Sequence, residues 1–485
     1  MLEYDFLIKG GRIIDPANKK DFIGDIAVKR NKIERVDEEI NDTLAEQVIN
    51  AKGKVIMPGI IDTHAHAYKK GVNGAGYRML IKAGVTTVID FQGPVESICQ
   101  EITKYGCGIN IATLQGIFPG MGITSKNAGK KEIKEAVNKA LDHGALGMKI
   151  IGGHYPLTPE TTYNIIHYTN KLRAYVGFHV GTTATGSNIL GLEEAIKLAE
   201  GKPLHIAHVN AYCRGLIEDP LSELKRALTA LCNSPNIVSE SHLAPYNGCD
   251  GLIDRDGLPR SHVTRSCLEA EGYEINKKGL EKAMLDGYAG VYALVGSEMK
   301  YLFGKEAIKR WKEEGTAIGT CFPVNLRYSA LVCALEKDQR GEFVIDAISS
   351  DGGAIPRNFI LSYGVLLIKF GGLTFSEFVK KVAWTPSKML GLENKGHLSP
   401  GADADIIVVN PENGDVEEVL SNGQVCMASG IVFNLPGKVL TTERGTNYLK
   451  QLDVPHEVVN LEKSLYINGK GGKNKPNLLS ISVNN

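Results

Sequence analysis

One stretch limits the possible folds of this chain more than any other: Val55-Ile56-Met57-Pro58-Gly59-Ile60-Ile61-Asp62-Thr63-His64-Ala65-His66. An apolar run, interrupted by a Pro-Gly turn, closes on two histidines one residue apart. Side chains alternate along a strand, so His64 and His66 leave the same face. Ile60 and Ile61 are adjacent and apolar and point to opposite faces, as in a strand buried on both sides. Two imidazoles at the end of a buried parallel strand suit a divalent metal. On this pair alone, two hydrogen-bonded core histidines are an equal alternative.

From about 58 to 392, apolar β-type runs alternate with amphipathic helical stretches, the pattern of parallel βα units. Strands are expected over 55–61, 86–90, 110–113, 145–151, 174–180, 203–209, 236–241 and 343–349. Helices are expected over 130–141, 159–173, 190–199 and 221–231, with Thr158 before Pro159 as a helix-start signal. The pattern predicts an α/β fold, a (β/α)8 TIM-like barrel. Residues 209–343 are more than one barrel unit needs, so about 247–301 is read as an insertion near the barrel mouth.

Short β-branched runs between turns fill residues 1–57, and another β-only stretch covers 393–440. Together they predict one small β-sandwich built from both chain ends. Residues 441–485 read as a C-terminal tail, loosely packed over 469–476, where only Gly, Lys, Asn and Pro occur.

Lysine plus arginine equals aspartate plus glutamate, 55 against 55, so no global field favours nucleic acid or an anionic membrane. The acidic N-terminus lacks a signal-peptide pattern, and no apolar stretch reaches spanning length. The cysteines are scattered and odd in number, without a C-x-x-C pair, and read as buried thiols of a cytoplasmic protein.

Active residues of a parallel barrel come from the C-terminal ends of its strands. There, strand one offers His64 and His66, and strand four places Lys149 in an apolar run. Strand five ends on His179. Strand six carries His205 and His208, three apart, so only one of them can point into the barrel. The last strand runs into Asp351-Gly352-Gly353. Singly, these could be a snorkelling lysine, core histidines and a turn aspartate. Taken together, the order His-X-His, Lys, His, His, Asp points to a metal centre. A buried lysine of depressed pKa is nucleophilic. Its amine can capture carbon dioxide as a carbamate, whose two oxygens can bridge two metals.

These motifs resemble those of the amidohydrolase superfamily, and most closely its two-metal branch of dihydroorotases, hydantoinases, isoaspartyl dipeptidases and N-acyl-D-amino-acid deacylases. The resemblance covers the chain to about residue 435. It rests on residues 55–66 at the family's strand one and on Gly84-Val85-Thr86-Thr87-Val88-Ile89-Asp90 at its strand two. Trp384-Thr385-Pro386-Ser387-Lys388-Met389-Leu390-Gly391 and Gly401-Ala402-Asp403-Ala404-Asp405-Ile406 match the return to the small β domain.

The resemblance implies a metal-dependent hydrolase of a small amide: an N-acyl amino acid, a dipeptide-like compound or a cyclic amide. It implies two divalent cations, zinc, and N6-carboxylysine at Lys149. His64, His66, Lys149 and Asp351 would hold the more buried ion; His179, His208 and the Lys149 carbamate would hold the second. His208 is taken over His205 because it lies nearer the strand's C-terminal end. A hydroxide bridging the metals would attack the amide carbonyl. Asp351 would take its proton and pass it to the leaving nitrogen. The assembly is expected to be a homo-oligomer, with no nucleic-acid or membrane partner.

His154 and Tyr155 follow Lys149 where hydantoinase-like enzymes place an oxyanion-binding tyrosine, although a plain loop tyrosine fits equally. His242 ends a strand and either lines the pocket or is structural. Arg214, Arg327 and Arg357 are either surface arginines or grips for a substrate carboxylate, with Arg357 best placed because it follows Asp351.

Two departures narrow the subfamily. Deacylases carry a cysteine ligand after strand two, where this chain has Ile89-Asp90-Phe91-Gln92-Gly93. Dihydroorotases continue the last-strand aspartate into His-Ala-Pro, where this chain has Gly352-Gly353-Ala354, which argues against orotate-pathway chemistry. The short His179–His208 spacing and the long insertion before Asp351 resemble deacylases and dipeptidases. A one-metal deaminase and a non-catalytic scaffold on the same fold are the alternatives; metal contents of two, one and zero per chain separate the three.

Overall fold

Gly59 divides the opening stretch between two sheets. In the computed structural model, which describes residues 2–471 and 476, Val55–Pro58 pairs with Tyr4–Asp15 and, antiparallel, with Ile406–Val409. Ile60–His66 instead enters the central parallel sheet. A Cβ on residue 59 would lie 2.1 Å from Thr86 Oγ1, so the crossing requires a glycine. The strand expected over 55–61 is therefore two strands; apolar residues flank the break on both sides and hide it from the hydrophobic pattern.

The first sheet has nine strands and joins both ends of the chain. Ile8, Ile13 and Ile26 from the N-terminal part pack with Ile406, Val408 and Leu420 from the C-terminal part in one core, the small β-sandwich domain. Tyr4–Asp15 is one continuous strand, with a register shift between Ile8 and Gly11 that accommodates Gly10-Gly11.

The central sheet contains β1 (Ile60–His66), β2 (Val85–Gln92), β3 (Asn110–Pro119), β4 (Gly147–Ile150), β5 (Tyr175–Phe178), β6 (Leu204–Ile206), β7 (Ile237–His242) and β8 (Ala347–Ser349). Neighbours pair in parallel in this order. The sheet curls. β8 pairs with β7, and Gly352–Gly353 just beyond it pairs with Ala65 and His66 of β1. Ile61, Ile89, Leu114, Tyr175, Val238 and Ala347 share one apolar cluster. Helices Lys130–Asp142, Pro159–Lys171, Ile189–Ala199 and Pro220–Cys232 connect successive strands. Thr158 caps the second of these by accepting from Thr161 N at 3.2 Å.

Between β7 and β8 the chain builds a separate four-stranded sheet from Cys249–Asp250, Gly319–Cys321, Gly290–Val295 and Glu298–Leu302. It has its own core around Trp311, Phe322 and Leu280. This segment continues past residue 301 because Gly319–Cys321 is the strand that ties Cys249–Asp250 to Gly290–Val295.

Residues 441–471 are packed where a tail was expected over 441–485; residues 472–475 and 477–485 lie outside the described residues. Lys438–Thr441 pairs with β3, and Tyr466 is fully buried, its ring stacked on Tyr175 at 3.9 Å. Tyr466 OH accepts from Val176 N at 2.8 Å and donates to Pro203 O at 3.2 Å. Leu440, Leu461 and Tyr466 thus cover the N-terminal end of the curled sheet, whose apolar interior would otherwise meet water. These contacts are too few and irregular to leave a periodic signature. All nine cysteines are buried, and no helix among the described residues is long and apolar enough to cross a membrane.

Candidate active site

Asp351 is the point on which the C-terminal strand ends converge. One Asp351 oxygen lies 3.3 Å from His64 Nε2 and 3.2 Å from His66 Nε2. The other meets Arg357 Nη2 at 2.6 Å and His242 Nε2 at 3.9 Å. Ligand atoms of His64, His208 and Asp351 all lie within 4.8 Å of one another. The His179 ring is centred 4.5 Å from that of His208 and 4.9 Å from that of His154.

Asp351 and His208 both adopt left-handed backbone conformations, φ 50° and 30°. This strain of about 1–3 kcal/mol per residue is held by the sheet, where Asp351 N donates to His64 O at 2.8 Å. The turn at His208, just beyond β6, separates it from His205. His208 joins the cluster, whereas His205 stays in the interior beside Tyr175 OH at 3.2 Å.

Phe91 forms the floor. Its ring stacks on His64 at 4.0 Å, and Lys149 Nζ lies 4.4 Å from its centroid. The ring fits because residue 177 is glycine: a Cβ there would be 2.7 Å from Phe91 Cε1. Over this apolar floor Lys149 Nζ has no hydrogen-bond partner among the described residues. Burial pushes its pKa down to about 7, against the pull of Asp351 and Glu240. The amine is then substantially neutral near pH 7.

Burial also lowers His64, His179 and His208 well below the ordinary histidine value, and lowers His154 to about 4 and His242 to about 3. For Asp351 burial acts upward, but Arg357 and then His64 hold it well below the usual carboxylate range. His64, His179 and His208 therefore present neutral imidazoles near an ionised carboxylate, as cation ligands must be. His64 Nε2, His208 Nδ1 and Lys149 Nζ are buried without hydrogen-bond partners among the described residues. Buried lone pairs of this kind are costly unless something fills the space between them. The residues fit a divalent cation.

Glu240, which the sequence reading passed over, links three of these strands. Its Oε1 accepts from His64 Nδ1 at 2.7 Å and from His208 N at 2.6 Å, and its Oε2 accepts from Ser349 Oγ. The first bond places the His64 proton on Nδ1 and the lone pair on Nε2, toward Asp351. Asp62 clamps β1 to the last strand, accepting from Ser350 N at 3.1 Å and Ser350 Oγ at 2.5 Å. A carboxylate in the otherwise uncharged run Ile237-Val238-Ser239-Glu240-Ser241 was the available signal.

The cluster opens into a cavity of about 800 Å³ between the strand ends and the inserted sheet. His154, Tyr155, Arg214 and Arg357 line it, and Tyr155 stacks on Phe118 at 4.9 Å. Arg357 is committed to Asp351 and to Tyr246 O at 3.1 Å. Arg327 is exposed and is not among the lining residues.

The amidohydrolase family profile matches residues 272–427. A curated dihydroorotase of Elusimicrobium minutum (strain Pei191) is 25% identical over 442 residues, 84% of this chain and 88% of the relative. An N-acyl-D-glutamate deacylase from Bordetella bronchiseptica, solved with zinc and a phosphonate inhibitor, superposes with a TM-score of 0.67 at 16% identity, covering 90% of this chain and 99% of its own. A D-aminoacylase structure described as having a binuclear metal centre gives 0.68 at 17%, with the same coverage.

Proposed function

We propose that this chain, as a member of the amidohydrolase superfamily, is an enzyme acting on carbon–nitrogen bonds other than peptide bonds, and that it hydrolyses a small open-chain N-acyl amino acid with two zinc ions. The observation that carries this reading is the convergence of His64, His66, His208 and Asp351 beside the unpartnered Lys149 amine. We read the curled sheet as a (β/α)8 barrel over residues 58–392, with sandwich parts at 1–57 and 393–440.

His64, His66 and Asp351 would hold one cation and His179 and His208 the other, with Lys149 carboxylated between them. The neutral Lys149 nitrogen adds to carbon dioxide and releases one proton, becoming a carbamate anion. Bound cations would lower the pKa of water and polarise an amide carbonyl. Asp351, held ionised by Arg357, accepts the proton of the attacking water and returns it to the leaving nitrogen. His154, Tyr155 and His242 line the path of the substrate carbonyl. The insertion walls off the cavity and limits it to small substrates.

The dihydroorotase relatives and the deacylase-named structures suggest different substrates. Gly352-Gly353-Ala354 in place of His-Ala-Pro argues against dihydroorotate here, and the large insertion beside the site supports the open-chain reading. The test is turnover of a panel of N-acyl-D- and L-amino acids, dipeptides, cyclic imides and dihydroorotate by zinc-loaded enzyme. The best substrate should be an open-chain N-acyl amino acid, at two metals per chain. Dihydroorotate as the best substrate, or full activity with one metal, would overturn the reading.

Two further outcomes follow from the proposed site. Chelation should abolish turnover and added zinc restore it, with metal content tracked by atomic emission. Glu240→Ala frees the His64 ring and should weaken metal affinity by about 10- to 100-fold. Glu240→Gln, which keeps an oxygen acceptor, should lose much less. Equal affinities of the two variants in a competitive metal titration would remove Glu240 from this positioning role.

A further inference from the structure

Of the nine cysteines, all within the described residues, Cys249 and Cys267 are the two that line the cavity. They stand on different elements of the insertion, Cys249 on the strand Cys249–Asp250 and Cys267 on the helix His262–Ala270. Thr264 Oγ1 donates to Asp250 O at 2.8 Å and holds the helix against the strand. Cys267 lies three residues further on, on the same helix face. Its sulfur therefore meets that of Cys249, and the two thiols hydrogen-bond to each other.

The pair is unsymmetrical. Asn247 Nδ2 donates to Cys267 Sγ at 3.4 Å, and Asn247 is itself fixed by accepting from Phe322 N at 2.9 Å. The bond from Cys249, the charge of Arg214 and the Asn247 bond hold the Cys267 thiol below its ordinary pKa, against the effect of burial. Burial, and then the bond to Cys267, push Cys249 well above it. One proton between two sulfurs thus leaves Cys267 as the thiolate and Cys249 as the thiol. Away from the cavity, burial pushes Cys99, Cys107 and Cys426 up to about 12. Thiolate character and access decide which cysteines react.

We propose that Cys249 and Cys267 are a modification site for hydrogen peroxide, with Cys267 the attacking thiol, Cys249 the resolving one and a disulfide in the cavity wall as the product. The Cys267 thiolate attacks one peroxide oxygen, and the O–O bond breaks. A sulfenic acid forms, and the departing hydroxide takes up the proton that Cys267 had lost. The Cys249 sulfur then attacks the Cys267 sulfur, the S–OH bond breaks, and water leaves with the Cys249 proton. The two thiols together lose two electrons and two protons, and the peroxide is reduced to two waters. A covalent tie between helix and strand replaces their hydrogen bond. The chemistry is separate from amide hydrolysis and uses neither Asp351 nor Lys149.

The test treats the full-length, zinc-loaded protein, freed of excess metal, with equimolar hydrogen peroxide. The remaining thiols are then alkylated in denaturant and the peptides mapped by mass. Wild type should lose two of its nine thiols, joined as one Cys249–Cys267 disulfide, and dithiothreitol should restore both. Cys249→Ser should stop at the sulfenic acid, with dimedone labelling Cys267. Cys267→Ser should leave Cys249 unlabelled. Oxidation spread evenly over the nine cysteines, a disulfide between any other two, or a pair still reduced in excess peroxide overturns the site. Dimedone on Cys249 in Cys267→Ser, with none on Cys267 in Cys249→Ser, overturns the assigned roles. The wild-type map decides the site even if neither serine variant folds, and no step of the test depends on amide turnover.

Discussion

Asp351→Asn should reduce amide hydrolysis by about 10²- to 10⁴-fold, the range for losing a positioned proton acceptor. Asparagine has nearly the same shape and tolerates the left-handed backbone found at this position (φ 50°). The chain path between β8 and β1 should therefore survive. What disappears is the negative charge that faces His64, His66 and Arg357. Removing it leaves the Arg357 guanidinium uncompensated in a buried position, which costs about 3–5 kcal/mol by analogy with other broken buried pairs. Arg357 keeps its bonds to the Asp351 and Tyr246 carbonyls, so the variant should remain folded at 25 °C with a lower melting temperature. Steady-state kinetics and circular dichroism on the same preparation check both halves. Activity within tenfold of wild type would remove Asp351 from the proton path.

Lys149→Ala should take metal content from two ions per chain to one or fewer and abolish turnover. Short carboxylic acids that can replace the carbamate should restore part of it. The stability effect runs the other way. In the metal-free protein the Lys149 amine is buried against Phe91 with no hydrogen-bond partner among the described residues, so its removal lifts a desolvation cost. Metal-free Lys149→Ala should thus melt at or above the temperature of metal-free wild type. A lysine kept for structural reasons would give the opposite result, a lower melting point with metal content intact. Metal analysis and paired melting curves distinguish the two.

Most of the local architecture was legible in the residues. Alternation placed His64 and His66 on one face, and amphipathic spacing located four of the connecting helices to within two residues at either end, though not Ala75–Lys82 or Val95–Tyr105. Pro159 behind Thr158 marked a helix start that the cap confirms. These features depend on near neighbours, so a short window contains their cause.

What escaped were contacts between residues far apart in the chain. Glu240 reads as one acid in an uncharged strand until the curled sheet brings it between His64 and Ser349. Arg357 reads as either a surface arginine or a substrate grip, and no local pattern shows that it pairs with Asp351. The choice of His208 over His205 turns on a backbone angle that alternation cannot predict. Gly59 breaks a strand because of Thr86, and residues such as Leu461 and Tyr466 pack because an apolar sheet end needs covering. By itself, then, the sequence determined which side chains could serve as ligands and on which face of each strand they stand. The tertiary structure alone decided which of them meet, because curling a sheet sets the distances between strand ends and no local period records that closure.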